Sequence, residues 1–240
     1  MQTNAQQIAA TQSATGRFNI YNFPHKGLRL LMQHTLHGVG SCDWQDASET
    51  AETLTAVRTL LEVMTGHLHH ENAFIHVAME ARQPGSTRHG AGEHVAHEQA
   101  IAALHAEVTA LEQAADDARD ALGYHLYTRL SLFVAENLEH MAMEERDHNA
   151  VLWANYADDE ILDIERRLVS AIPPEKAALM LPWMVQAANA GERAGFLCAV
   201  RPGMPAEAFD GLLSECRALL SPRAWAKLEA ALRGGVVVAA

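Results

Sequence analysis

Apolar positions along the chain recur mostly at helical spacing, not in strict alternation. The clearest run is LLEVMTGHLHHENAFIHVAME, residues 60–80. With an advance of about 100° per residue, Leu60, Met64, His67, Glu71, Phe74, Ile75 and Ala78 share one stripe. Arg58, His69 and His76 then fall on the opposite, solvent side. His67 and Glu71 are thus a histidine and a carboxylate one turn apart on an apolar face. Burying such groups without partners costs about 2–7 kcal/mol for a neutral polar group and more for a charge. A bound metal is one way to satisfy both.

The same periodicity lays out the rest. A first helix runs from Pro24, suited to a first-turn position, to about His37, with His25 on the face of Leu28, Met32, Thr35 and Leu36. The loop Gly38–Trp44 ends it. A second helix spans about Ala47 to Ala81, and Gln83–Gly92 is a break. A third helix covers Glu93–Ala115, a polar turn lies near Asp116–Gly123, and a fourth helix covers Tyr124–Tyr156. Long helices with short connections predict an all-α, antiparallel up-down four-helix bundle over residues 19–157. Residues 1–18 read as a flexible polar arm. Residues 158–240 read as a smaller helical extension. In it, Asp158 and Asp159 cap a helix Glu160–Ala171, and Pro173 and Pro174 end that helix and open another. Two short amphipathic stretches and an apolar tail, VVVAA, follow. The extension is either an accessory domain or a surface through which copies of the chain associate.

Composition narrows the function. The 240 residues are 49% hydrophobic and carry a net charge of −12, which excludes a nucleic-acid or anionic-membrane partner because phosphate binding needs a basic face. No apolar run approaches the roughly 20 residues of a membrane span. The N-terminus lacks a basic-then-apolar signal pattern. The three cysteines, Cys42, Cys198 and Cys216, are widely spaced and form no CxxC pair. They predict a reducing, cytoplasmic setting. The unusual feature is histidine, at 14 residues, so placement has to decide.

The fourth helix echoes the second. In LFVAENLEHMAMEERDH, His140 and Glu144 share a stripe with Leu126, Leu130, Phe133 and Val151. The i, i+4 spacing lets a pair chelate one ion or lets the carboxylate reach a second. HxxxE alone is weak, because the chain holds further instances. His76/Glu80 and His89/Glu93 read as solvated surface. His25 and His94 supply the remaining inward histidines; His94, Glu98, Ile101 and His105 share one side of the third helix, and His97 is the rival of His94. His69 and His70 read as surface, His148 as surface or just outside a site, and His105 as core or just outside a site. In an antiparallel bundle, residues equidistant from a turn lie at one height. The midpoints between His25 and His67, Glu71 and His94, and His94 and His140 all fall at or near the predicted loops. Every helix therefore brings a ligand to one level.

This pattern resembles the hemerythrin-like, HHE cation-binding family over about residues 20–156. The match rests on the lone histidine in PHKGLR (His25), HxxxE on the second helix (His67, Glu71), the histidine after glutamate in EHVAH (His94), and HxxxEE on the fourth helix (His140, Glu144, Glu145). The resemblance implies two non-haem irons inside a four-helix bundle, bridged by carboxylates and held by His25, His67, Glu71, His94, His140 and Glu144. Zinc or manganese would also suit imidazole and carboxylate ligands. There are departures. Oxygen-carrying hemerythrins have HxxxH on the third helix and an aspartate five residues beyond the last histidine, where this chain has Glu145, a rival of Glu144. The four-histidine, two-glutamate set resembles di-iron proteins of nitric-oxide response and iron–sulfur cluster repair, without their cysteine-containing N-terminal module. The implied function is binding, sensing or reacting with O2, NO or H2O2. A di-iron oxidoreductase or cluster-repair protein, or a metal-stabilised interaction module, are the alternatives.

Overall fold

The structure is a computed structural model that describes residues 16–233. Most of the predicted arm, residues 1–15, and the VVVAA tail lie outside the described residues. Those described are helical, with no strand among them. The chain divides into two compact units. One, the central unit, is Arg29–Asn155; the other, the terminal unit, joins Met1–Leu28 to Tyr156–Ala240.

Helix α1, Asn22–Ser41, begins in the terminal unit and ends in the central one. It overruns its predicted end because Val39 is buried and Gly40 lies under the Tyr127 ring, which overrides the glycine signal. In the central unit, α2 (Ala47–His70) starts at Asp46, whose carboxylate accepts from the amides of Ser48 and Glu49. It runs without a break into a π-helical turn, Glu71–His76, and then α3, Val77–Arg82. α4 is Arg88–Glu112, five residues earlier than the sequence predicts. Glu80 organises the loop before it, accepting from the Gly85 amide, the Thr87 amide and the Thr87 hydroxyl. α5, Asp116–Met143, absorbs the predicted polar turn, since Asp116 and Asp117 suit the positive end of a helix dipole. It continues through a second π-helical turn, Glu144–His148, into α6, Asn149–Asn155.

Cross-helix pairs fix the directions. Arg58 on α2 binds Glu112 on α4, while Asn72 meets His94, so α2 and α4 are antiparallel. Glu107 on α4 faces Arg129, while Glu93 meets His140, so α4 and α5 are antiparallel as well. Gly123 permits close approach on α5: a Cβ there would stand 2.2 Å from the Trp44 indole nitrogen. The core of the unit includes Leu54, Leu61, Met64, Leu68, Leu104, Val108, Leu130 and Phe133, all buried.

The terminal unit holds α7 (Asp158–Ala171), α8 (Pro174–Ala187), α9 (Ala190–Val200), α10 (Ala206–Leu219) and α11 (Pro222–Arg233). Helix α9 was not predicted, because GERAGFLCAV opens with glycine and lacks a clean apolar stripe. Local capping explains it. The Asn189 side chain accepts from the Glu192 amide, and the Glu192 carboxylate accepts from the Asn189 amide. Glu192 also takes Lys26 and Asn22 from the start of α1, and Phe23 stacks on Phe196. Val185, Ala194, Leu197, Phe209, Leu212, Cys216 and Leu228 form an apolar core. No helix among the described residues is long and apolar enough to cross a membrane.

Candidate metal centre

Glu71, His94, His140 and Glu144 converge in the interior of the central unit, each offering a ligand atom within 4.8 Å of the others. Each is almost wholly buried. The apolar periodicity of α2, α4 and α5 buries these positions along with their neighbours.

The two imidazoles are held from behind. Nδ1 of His140 lies 2.8 Å from Oε2 of Glu93, and Nδ1 of His94 lies 2.8 Å from Oδ1 of Asn72. A carboxylate only accepts, so Nδ1 of His140 carries a proton and its Nε2 lone pair points inward. The Asn72 oxygen sets His94 the same way. The two Nε2 atoms then face each other at 3.0 Å. Two lone pairs at that distance need a proton or a cation between them. Nitrogen ligands about 2.0–2.1 Å from one ion and at right angles stand about 3 Å apart, so the spacing fits a shared metal.

The carboxylates reach between histidines. Glu71 places Oε2 3.6 Å from Nε2 of His94 and Oε1 3.3 Å from Nε2 of His67. Glu144 places Oε2 3.4 Å from Nε2 of His140, and Oε1 3.6 Å from Nε2 of His94 and 3.5 Å from Nδ1 of His148. Burial works against a cation on His94, but Glu144 and Glu71 outweigh it and raise its pKa above the usual histidine value. Burial lowers that of His140, a loss only partly offset by Glu144 and Glu93.

Of the sequence-predicted ligands, the structure gathers His67, Glu71, His94, His140 and Glu144 within the central unit. His25 lies on α1 in the terminal unit, fully buried, its ring 4.9 Å from that of Tyr21. Glu145 is turned away and bonds Arg29 at 2.6 Å. Glu98 is exposed. His97 is buried with its ring 4.8 Å from that of His140, but it offers no atom to these groups. Its pKa is pushed down to about 4 by burial and by the neighbouring His140 and His94.

Two surface assignments are corrected. His76 is buried, not solvated: the π turn Glu71–His76 adds a residue to one helical turn and rotates it inward. Its pKa falls to about 4, through burial first and then His94 and His148. Glu93 is only partly exposed and holds His140, although its i−4 neighbour His89 is on the surface. The sequence alone leaves His148 between surface and the edge of a site. It is buried and lies four residues after Glu144, the same spacing that selected His140 with Glu144. These residues could hold a metal ion.

No protein-family model matches the chain, and neither a curated protein nor a solved structure matches it.

Proposed function

We propose that this protein is a non-haem di-iron protein of hemerythrin-like type, with α1, α2, α4 and α5 as an up-down four-helix bundle. Its centre binds, senses or reacts with O2, NO or H2O2. The observation that carries the reading is the placement of Glu71 and Glu144. Glu71 stands between His67 and His94, histidines of different ions in this reading, which is what a bridging ligand needs, and Glu144 lies beside His94 and His140 with its other side toward His148. One ion would take Glu71, His94, His140 and Glu144. The other would take His67, Glu71 and Glu144, and His25 joins it on the sequence resemblance alone.

Iron in such a site supplies one-electron redox chemistry and coordination positions left open to a small ligand. The chain does the rest. Asn72 and Glu93 fix which nitrogen of His94 and His140 faces inward. Buried apolar residues flank the ligands, with Met64 and Leu68 on α2 and Phe133 and Met141 on α5. They keep the carboxylates in a low-dielectric setting, where charge neutralisation by a cation counts most.

The test is metal analysis of protein purified without chelators, together with its optical spectrum. The expected result is a pair of irons per chain and a spectrum that changes on adding O2 or NO. Turnover of peroxide would identify an enzyme. A metal-loaded protein that responds to none of these would be an interaction module, with the metal as a structural support. Saturation at a single ion would overturn the bridged pair.

A further inference from the structure

His76 and His148 belong to no ligand set that the sequence implies, yet both reach Glu144. His76, Glu144 and His148 each offer a ligand atom within 4.8 Å of the others, and all three are buried. Nε2 of His76 is buried with no hydrogen-bond partner among the described residues. A buried nitrogen left in that state costs free energy unless something binds it. The His76 ring lies nearly parallel to that of His94, at 4.8 Å, and edge-on to that of His148, at 5.2 Å.

The backbone is shaped to bring these rings in. Each histidine is the last residue of a π-helical turn, Glu71–His76 or Glu144–His148, and each turn opens on a glutamate of the centre. On α4, Gly90 makes room for His148: a Cβ there would stand 2.8 Å from its Cε1 and 3.0 Å from its Nε2. Any other residue at position 90 would push the imidazole or the helix aside.

We propose that His76, His148 and Glu144 form a further position for a first-row divalent transition cation, which exchanges its ion with the position at His94 and His140. Two imidazoles and one carboxylate suit Fe2+, Zn2+, Co2+ or Mn2+ and leave coordination positions open, whereas Mg2+ and Ca2+ prefer all-oxygen sites. Exchange follows from the shared oxygen. Oε1 of Glu144 lies 3.5 Å from His148 Nδ1 and 3.6 Å from His94 Nε2. Ions held on both sides of one oxygen repel, so occupation of one position disfavours the other. The inference rests on the reading of Glu71, His94, His140 and Glu144 as a cation position.

Co2+ is the probe, because its stoichiometry can be counted and its anomalous scattering located. The variant H94Q/H140Q is expected to keep the wild-type number of ions, with anomalous density between His76, His148 and Glu144. H76Q/H148Q also keeps that number, while the fourfold variant binds one ion fewer. If H94Q/H140Q already binds as few ions as the fourfold variant, the extra position does not exist. Wild-type crystals given less than one equivalent of Co2+ provide a readout independent of the variants. Density between His76 and His148 is expected there, and its absence overturns the proposal. Wild-type protein that binds no cobalt, iron or zinc refutes the proposed function itself, whereas a wild-type protein with its full pair, together with an H94Q/H140Q variant that shows no ion at His76, refutes only this inference.

Discussion

The central unit and the C-terminal helices α7–α11 both bury charged or ionisable groups, but they dispose of them differently. In the C-terminal helices, Glu192 caps α9, and Arg193 donates to Val185, Gln186 and Ala188 carbonyls at the end of α8. Helix ends and, for Glu192, Lys26 and Asn22 take up their charge, and the surrounding core is apolar. In the central unit, Glu71, His76, His94, His140, Glu144 and His148 point at one another. Polar burial that terminates on backbone is architecture, and polar burial that converges on itself could hold a metal ion.

The largest effect expected is on Glu71 and Glu144. E71Q and E144Q each keep side-chain size but remove a charge that would serve two cations, so each should abolish paired occupancy in a metal titration. E80Q, whose residue organises the loop before α4, should leave metal content unchanged. Equal losses from all three would remove the contrast between centre and surface. Next in size is removal of the metal. A ligand at a thousandfold excess over its dissociation constant stabilises the native state by about 4 kcal/mol, so chelation should lower the melting temperature by roughly 10 °C. The C-terminal core supplies the reverse case. Leu197 is fully buried there, and L197A should cost about 2–5 kcal/mol in denaturant melts while metal content stays at the wild-type value. The smallest effect sharpens the boundary of the centre. E93Q keeps an acceptor for His140 but loses the charge, and metal affinity measured by competition should fall roughly tenfold.

The burial of Glu71 and Glu144 is legible because α2 and α5 keep straight helical phase up to these glutamates, whereas on α4 the buried side holds His97 and Leu104 and not Glu98. Leu60, Met64, Leu126, Leu130 and Phe133 mark the inward face, and counting from them puts Glu71 and Glu144 on it, where the structure buries them. Beyond those residues the phase slips. The π turns are invisible to a rule of about 100° per residue, so His76 was read as facing solvent. Glu93 was missed for another reason: its partner His140 is on a different helix, and a pattern within one helix says nothing of cross-helix bonds. Every long helix was readable apart from its ends, as at the starts of α4 and α5, and α9 was the one whole helix unread, because a capping pair, Asn189 and Glu192, does there what an apolar stripe does elsewhere.

The supports behind the two facing imidazoles are chemically unlike, and this bears on how each donates electrons. His94 leans on a neutral amide, Asn72, whereas His140 leans on an ionisable carboxylate, Glu93. A carboxylate drawing on the Nδ1 proton lends a ring partial imidazolate character and makes its other nitrogen the stronger Lewis base. A cation between them would bind one ordinary imidazole and one electron-rich one. The direction of that asymmetry is fixed by two side chains that never touch the ion, and exchanging Asn72 and Glu93 would reverse it without altering a single ligand.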